Sequence, residues 1–336
     1  MDVLSDALST VRMNGAIFFD AAFTAPWGFK APRAEMFASD LAPGVEHIVI
    51  FHLLTEGHAV VRMDGMDDLH LEAGDIVIVP HGDAYTVSNG TPAVWRDGTD
   101  SIGRYRAGDV STVHAGGGGE VSKFVCGYFG CEREALRLFL AGLPRLIKVS
   151  FRGDASGAWL ESSIRHLVSE SASGRPGSVL LLSKMAEALF VEALRRYMEQ
   201  LSGAQTGWLA GARDPLVGAA LALVHAKPCR QWTLPELAAE TGTSRTVLSD
   251  RFAHFLGESP MTYLSRWRLR LAAQLLHGGR KTMLQVAMDV GYESEAAFNR
   301  AFKREFGLPP AQYRRAMIEQ AARRMAETGG GRARVA

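Results

Sequence analysis

Apolar residues come in short runs over the first 130 positions and at helical intervals after them. The runs are Ile48–Leu54, Ala59–Met63, Ile76–Val79, Tyr85–Val87 and Val121–Phe129. Turn clusters separate them: Thr55-Glu56-Gly57, Ala73-Gly74-Asp75 and Asn89-Gly90-Thr91-Pro92. Gly, Asn and Pro there supply the backbone geometry that ends a strand. Many short strands at this spacing predict an all-β sandwich or barrel, with the glycine run Gly116–Gly119 as a hairpin tip.

From about residue 132 the period changes to that of helices. Glu134–Leu143, Ala158–Ser169 and Val179–Gln200 are apolar at helical spacing, and Ser171–Gly177 splits the last two. The third places Leu180, Leu181, Met185, Leu189, Ala193 and Tyr197 roughly along one side. That stripe suits a dimer interface, and it suits equally a layer packed on the chain's own β domain. Ser202–Gly211, rich in Gly, Ala and Gln, reads as a linker. Asp214-Pro215 then opens a helical segment, with Pro in its favoured first-turn position. Helices are expected at about 215–226, 234–241, 244–256, 260–277, 283–290, 294–306 and 310–322. The long one carries Tyr263, Leu264, Trp267, Leu271 and Leu275 on its buried side.

Within that segment one pattern occurs twice. Ala238, Gly242, Ser244, Leu248, Phe252 and Gly257 are repeated as Ala287, Gly291, Ser294, Phe298, Phe302 and Gly307. From the serine onward each position is offset by 50. The small Ala lets two helices cross closely, and Gly tolerates the positive φ of a tight turn. Ser is a good N-cap for the second helix. The pair four residues apart forms that helix's buried stripe. This is a duplicated helix-turn-helix, and the rigid helix between the copies would hold two recognition helices about one DNA turn apart.

Charge supports a nucleic-acid partner. The formal net charge is only +1, but residues 214–315 carry 14 Lys and Arg against 9 Asp and Glu. The tail 316–336 is also basic, and the first 213 residues are acidic. A basic module beside an acidic remainder is what phosphate contact by that module requires. At 336 residues the chain has room for two or three domains. Residues Met1–Asp6 lack the basic start and apolar run of a signal peptide, and no stretch reaches membrane-span length. Three cysteines, Cys126, Cys131 and Cys229, make no disulfide framework, which fits a cytoplasmic location.

The C-terminal residues resemble a known family. Thr233-Leu234-Pro235-Glu236-Leu237-Ala238, Gly257-Glu258-Ser259-Pro260 and the stretch Phe306 to Arg314, with its Phe-Gly-x-Pro-Pro-x-x-Tyr-Arg pattern, are similar to the AraC/XylS family of bacterial transcription regulators. The resemblance covers about 100 residues. It implies double-stranded DNA as partner, with Arg245, Thr246, Ser249 and Asp250 of the first recognition helix facing bases. In the second these would be Glu295, Ala296, Asn299 and Arg300. Arg300 can bind guanine and Asn299 adenine in bidentate fashion. Arg251, Lys303 and Arg304 are placed for phosphate contact or interhelix ion pairs. Asp250 stands where similar members often carry Arg; it could accept from cytosine or pair within the chain with Arg245 or His254.

The N-terminal region resembles the second cupin motif, Gly74-x5-Pro80-x-Gly82-x2-Tyr85-x3-Asn89, with Tyr85 where the metal-binding His would stand. The first cupin motif is absent, so no catalytic metal or other cofactor is expected and a cupin enzyme is disfavoured. What remains is similar to the sensing domain of AraC-type regulators. Trp27, Phe29, His52 and Tyr85 are the candidate lining of an effector pocket for an unknown small molecule. The histidines His47, His52, His58, His70, His81 and His114 are scattered. Of these, His52 with Cys126 or His81 is a candidate soft-metal site, and Cys126 leaves open a thiol-based sensor.

The expected architecture is therefore multidomain α+β. A cupin-like β-barrel sensor spans 1–131, a helical connector and dimerisation segment 132–201, and a linker 202–213. An AraC-type domain with two helix-turn-helix motifs spans 214–315, and a flexible basic tail 316–336. The expected function is a ligand-controlled, homodimeric, non-enzymatic transcription regulator that meets RNA polymerase if it activates.

Overall fold

The computed structural model describes residues 2–9, 13–41, 45, 47–100, 112–131, 142–153, 155–171, 175–202, 205–278 and 281–319. The chain divides into two compact units. One comprises residues 13–133 and 143–201; the other comprises 1–12, 134–142 and 202–336.

An amino-terminal helix, α1 (Val3–Ser9), comes first and belongs to the second unit. The β unit follows with β1 (Met13–Thr24), β2 (Trp27–Ala31), the short helix α2 (Ala38–Leu41), β3 (His47–Glu56), β4 (His58–Arg62) and β5 (Leu69–Glu72). It continues with β6 (Asp75–Val79), β7 (Tyr85–Asn89), β8 (Arg96–Asp97), β9 (Val113–Gly116), β10 (Val121–Cys131) and β11 (Ile147–Ser150). Two helices close it, α3 (Ala155–Ser171) and α4 (Ser178–Gln200).

The strands form a six-stranded sheet in the order β11-β6-β3-β10-β1-β9 and a five-stranded sheet in the order β5-β4-β7-β2-β8. Among the described strands no pairing joins the two, so the expected barrel is a pair of facing sheets rather than a closed cylinder. Alternate residues fill the space between them: Ile50 and Leu54 of β3, Val77 and Val79 of β6, Tyr85 and Val87 of β7, Phe124 and Cys126 of β10. The intervening residues of the large sheet, including Phe51, Leu53, Ile78 and Phe129, are buried as well. Helix α4 covers that second face: Phe190 meets Phe129 at 4.6 Å between ring centroids, and Phe129 in turn stacks on Phe51. A strand buried on both faces has no polar side to show. That is why β3 reads as an unbroken apolar run.

Part of the stripe expected on α4 packs inward. Leu189, Ala193 and their neighbours Phe190 and Leu194 are buried against the chain's own sheet. Leu180 and Leu181, from the same expected stripe, are 65% and 54% exposed. The helix expected over Glu134–Leu143 lies largely outside the described residues, as does most of the basic tail, from residue 320 on.

The second unit is all helical. Helix α5 (Trp208–Arg213) occupies part of the segment expected as a linker. It is followed by α6 (Pro215–Ala226), α7 (Leu234–Glu240), α8 (Arg245–Leu256), α9 (Pro260–Gly278), α10 (Met283–Asp289), α11 (Glu295–Phe306) and a last helix, α12, over 310–319. Helix α1, not among the expected elements, packs here against α6, and the Gln274 amide donates to the Ser9 carbonyl at 2.9 Å. Trp208, Tyr263, Trp267 and His225 make an aromatic centre. The Trp208 indole N–H donates to the Tyr263 hydroxyl at 2.9 Å, and the His225 ring stacks on Trp267 at 3.7 Å.

Candidate nucleic-acid interface and ligand cleft

Each helix-turn-helix is built by local rules. In the first, Thr233 and Glu236 make a reciprocal capping box that starts α7, and the Ser244 hydroxyl accepts from Val247 N at 3.2 Å to start α8. The second repeats this with Thr282 and Gln285 starting α10, and Ser294 accepting from Ala297 N at 3.2 Å to start α11. Gly242 and Gly291 sit in the turns at φ +69° and +84°, the region that side chains with a Cβ rarely enter. Ala238, Leu248 and Phe252 are fully buried, as are Ala287, Phe298 and Phe302. All six repeated positions therefore do in each copy what their spacing requires.

With those residues facing in, a polar set on each recognition helix faces out. Arg245, Thr246 and Asp250 of α8 are exposed and Ser249 is half-buried. On α11, Glu295, Ala296, Arg300, Lys303 and Arg304 are exposed, and Asn299 is half-buried beside them. Among the described residues, Asn299, Arg300, Lys303 and Arg304 make no hydrogen bond or ion pair through their side chains, and Asp250 pairs with neither Arg245 nor His254. Arg251 is different. Its guanidinium is ion-paired with Asp214, which also caps α6 by accepting from Leu216 N and Val217 N. Of the two roles open to Arg251, phosphate contact or interhelix pair, the structure shows the second.

The β unit holds a second group of functional candidates. His52 of β3 lies directly across from Cys126 of β10 in the antiparallel register. Its Nδ1 is 2.6 Å from Cys126 Sγ, and its Nε2 is hydrogen-bonded to the Tyr85 hydroxyl from the facing sheet. All three are buried. Burial holds the imidazole neutral, lowering its pKa to about 3, and pushes both the thiol and the phenol well up. A neutral imidazole donates from one nitrogen and accepts at the other, so the three groups form an uncharged relay across the core.

This geometry gives the soft-metal candidate no support. Cys126 and Tyr85 approach opposite nitrogens of the His52 ring, so the two cannot join it on one ion. His81 is engaged elsewhere, with Nε2 3.0 Å from the Leu143 carbonyl. His47 is 2.7 Å from the Pro80 carbonyl, and His58 pairs with Glu120. Among the described residues no three His, Cys, Asp or Glu side chains gather as a metal would need. The thiol fares no better as a nucleophile, since reactivity follows the thiolate. We expect a thiol reagent to label Cys229, which is exposed, and to reach Cys126 in a Cys131→Ser, Cys229→Ser background only on unfolding. Labelling of native protein at the Cys229 rate would show an accessible thiol.

The cleft itself is at one end of the sheets. It has a volume of about 480 Å³ and is lined by Phe23, Pro26, Trp27, Phe29, Ala93, Val94, Arg96, Ala115 and Gly116. Trp27 and Phe29, two of the four residues expected to line a pocket, do so. His52 and Tyr85 do not: His52 stands behind Phe29, ring to ring at 5.7 Å, and Tyr85 borders a different hollow of about 810 Å³ with Lys30, Arg62 and Trp95. Phe23, Val94, Ala115 and Arg96 were not legible as lining. Phe23 is the aromatic partner of Trp27 at 4.8 Å, and only the pairing of β1 with β9 brings it there.

Two sheets with a helical layer, together with two capped and exposed recognition helices, define a DNA-binding class of protein with a β-rich amino-terminal domain. Comparison with known proteins agrees. A cupin family matches residues 2–199 and a helix-turn-helix domain matches residues 237–316. A putative AraC-like transcription regulator of Streptomyces lividans is 31% identical over 94% of this chain and 98% of its own length. The HTH-type transcriptional regulator AlkR of Acinetobacter baylyi is 29% identical over 94% of this chain and 99% of its own. A solved AraC-type DNA-binding domain protein from Chromobacterium violaceum covers 32% of this chain and 96% of itself, at 28% identity and a TM-score of 0.31. The chain belongs to the AraC-like transcription regulators, with a cupin domain at its amino-terminal end.

Proposed function

We propose that residues 205–319 read a specific operator through both recognition helices, and that residues 13–201 control this reading by binding a small, largely apolar effector in the cleft floored by Phe23, Trp27 and Phe29. The observation that carries the first part is the outward set Asn299, Arg300, Lys303 and Arg304, cationic and amide groups left for DNA by a helix whose other face is fully buried. Asn299 and Arg300 read base edges on α11, and Lys303 and Arg304 hold phosphates. On α8 the readers are Arg245, Thr246, Ser249 and Asp250, a less cationic set that orients the protein more than it discriminates.

A regulator rather than an enzyme is the reading that the relatives support, since they are transcription regulators. The working form is a cytoplasmic homodimer. Trp159 of α3 and Leu180 and Leu181 of α4 are large apolar side chains left exposed on the helical layer, where a second copy would cover them. No helix among the described residues is long and apolar enough to cross a membrane. Contact with RNA polymerase follows only if the operator is placed for activation.

Two substitutions separate reading from holding. Arg300→Ala is expected to lose about 1–3 kcal/mol of discrimination at one base pair. Lys303→Ala is expected to weaken all sequences alike and lower the salt slope by about 1. Footprinting and salt titration on the protein's own genomic neighbourhood measure both. Binding that ignores sequence and survives high salt would defeat the reading.

A further inference from the structure

The two helix-turn-helix modules are fastened to each other at two places beyond their hydrophobic contacts, and both fastenings pass through arginines of α9. On one side, Arg266 donates from Nη1 to Glu258 at 3.1 Å and from Nε to Glu305 at 3.2 Å. Glu258 directly follows the first recognition helix, and Glu305 lies in the last turn of the second. One guanidinium thus spans the ends of both. Glu258 and Glu305 are mostly buried in this bridge, which makes it stiffer than a surface pair free to swing in water.

On the other side, Arg268 donates from Nε to the Pro228 carbonyl at 2.7 Å and from Nη2 to the Arg230 carbonyl at 2.8 Å. Those carbonyls belong to the segment that enters the first module. The same segment reaches the turn of the second: the Gln231 amide donates to the Gly291 carbonyl at 2.8 Å, and the Cys229 thiol donates to the Asp289 carbonyl at 2.6 Å. The fit leaves no slack. A Cβ on Gly291 would come within 2.9 Å of both the Cys229 Cα and the Arg268 Nη2. Gly291 is thus needed for its positive φ and for the approach of the first module as well.

None of these groups is on the outward face of a recognition helix. What they fix is the distance and rotational phase between the two helices. Phase matters because the half-sites of one duplex repeat about every 10–10.5 base pairs. A joint that turned by one base pair's twist would let the same two helices accept a site one base pair shorter or longer.

We propose that Arg266 and Arg268 form a two-sided clamp that sets the spacing of the half-sites this protein accepts, making them specificity-determining residues that need not touch DNA. This rests on the reading that both recognition helices contact the duplex. Arg266 ties the far ends of the recognition helices, and Arg268 with Gln231 ties the entry of one module to the turn of the other.

The test is site selection from a pool of random duplexes by the full-length chain, with spacing and half-site sequence counted separately. Wild type is expected to enrich two half-sites at one spacing. Arg266→Ala and Arg268→Ala are expected to enrich the same two half-sites spread over neighbouring spacings, with affinity for the wild-type spacing down about tenfold. Arg268→Lys, which keeps a donor, should recover part of the narrow distribution. If either alanine variant fails to fold by circular dichroism, Glu305→Gln and Gln231→Ala, which each weaken or remove one link, decide the matter by the same count. Unchanged single spacing in the folded variants overturns the clamp, as does a change of half-site sequence in place of spacing. A wild type that enriches only one half-site overturns the two-helix reading and the clamp with it.

Discussion

Phe302→Ala is expected to cost about 3–5 kcal/mol of stability in the DNA-binding unit and to abolish operator binding. Phe302 is fully buried, and its ring meets Phe298 at 5.5 Å, Phe306 at 4.4 Å and Tyr313 at 5.3 Å. Removing the ring opens a cavity where α11 rests on α12 and α9. The surrounding rings are rigid and cannot collapse into the space, so the loss should fall near the top of the range for such truncations. Aromatic pairs add to the effect beyond the area they bury. Urea unfolding followed by circular dichroism measures the change. A loss below about 1 kcal/mol would show that α11 is held by something other than this cluster.

Acidification is the second large effect. His52 in the β unit and His225 in the DNA-binding unit are both held neutral in the folded chain, with pKa values lowered to about 3. Burial is the cause for His52; for His225 it is burial first and the Arg270 charge second. In the unfolded chain both titrate near 6.5. Below pH 6.5 the unfolded chain therefore binds protons that the folded chain refuses, and stability falls with pH until the native groups themselves titrate near 3. Each histidine should contribute a slope of about 1.4 kcal/mol per pH unit once below its unfolded pKa. The carboxyls of Asp20 and Glu258, raised by burial, act in the opposite sense, so each slope is read as the difference between wild type and variant over a window of pH 6.5 to 5.5. Urea midpoints across that window, compared with His52→Gln and His225→Gln, measure the slopes. Equal slopes in wild type and both variants would mean that neither imidazole is kept neutral.

What could be read from the sequence followed the range of the interactions. A helix-turn-helix is specified by residues within about twenty positions of one another, and Ala238, Ser244, Leu248 and Phe252 were legible for that reason. Helix ends at Ser244, Gly257, Ser294 and Gly307 fell where capping chemistry put them. The strands around Ile48–Leu54 and Ile76–Val79 were legible as apolar runs. Their partners were not, because pairing is decided at long range: β1 runs beside β10, and His52 meets Cys126 across 74 residues. The first strand, Met13–Thr24, gave no clear signal, and neither did α1, since seven residues carry no mark of what they pack against. The candidate ligand residues show the same divide. Trp27 and Phe29 alternate on one strand and share the cleft, whereas Tyr85 approaches His52 from another sheet, and only the fold shows it binding the nitrogen opposite Cys126.

Arg251 has a practical consequence for anyone redesigning the operator. It sits among the outward residues of the first recognition helix and has the side chain most favoured for grasping guanine, yet it is committed to Asp214 and through it to the start of α6. A library that randomised it would mostly sample broken scaffolds and report them as lost recognition. On the proposed reading, the letters of that helix open to rewriting are Arg245, Thr246, Ser249 and Asp250; Arg251 belongs to the page on which they are written.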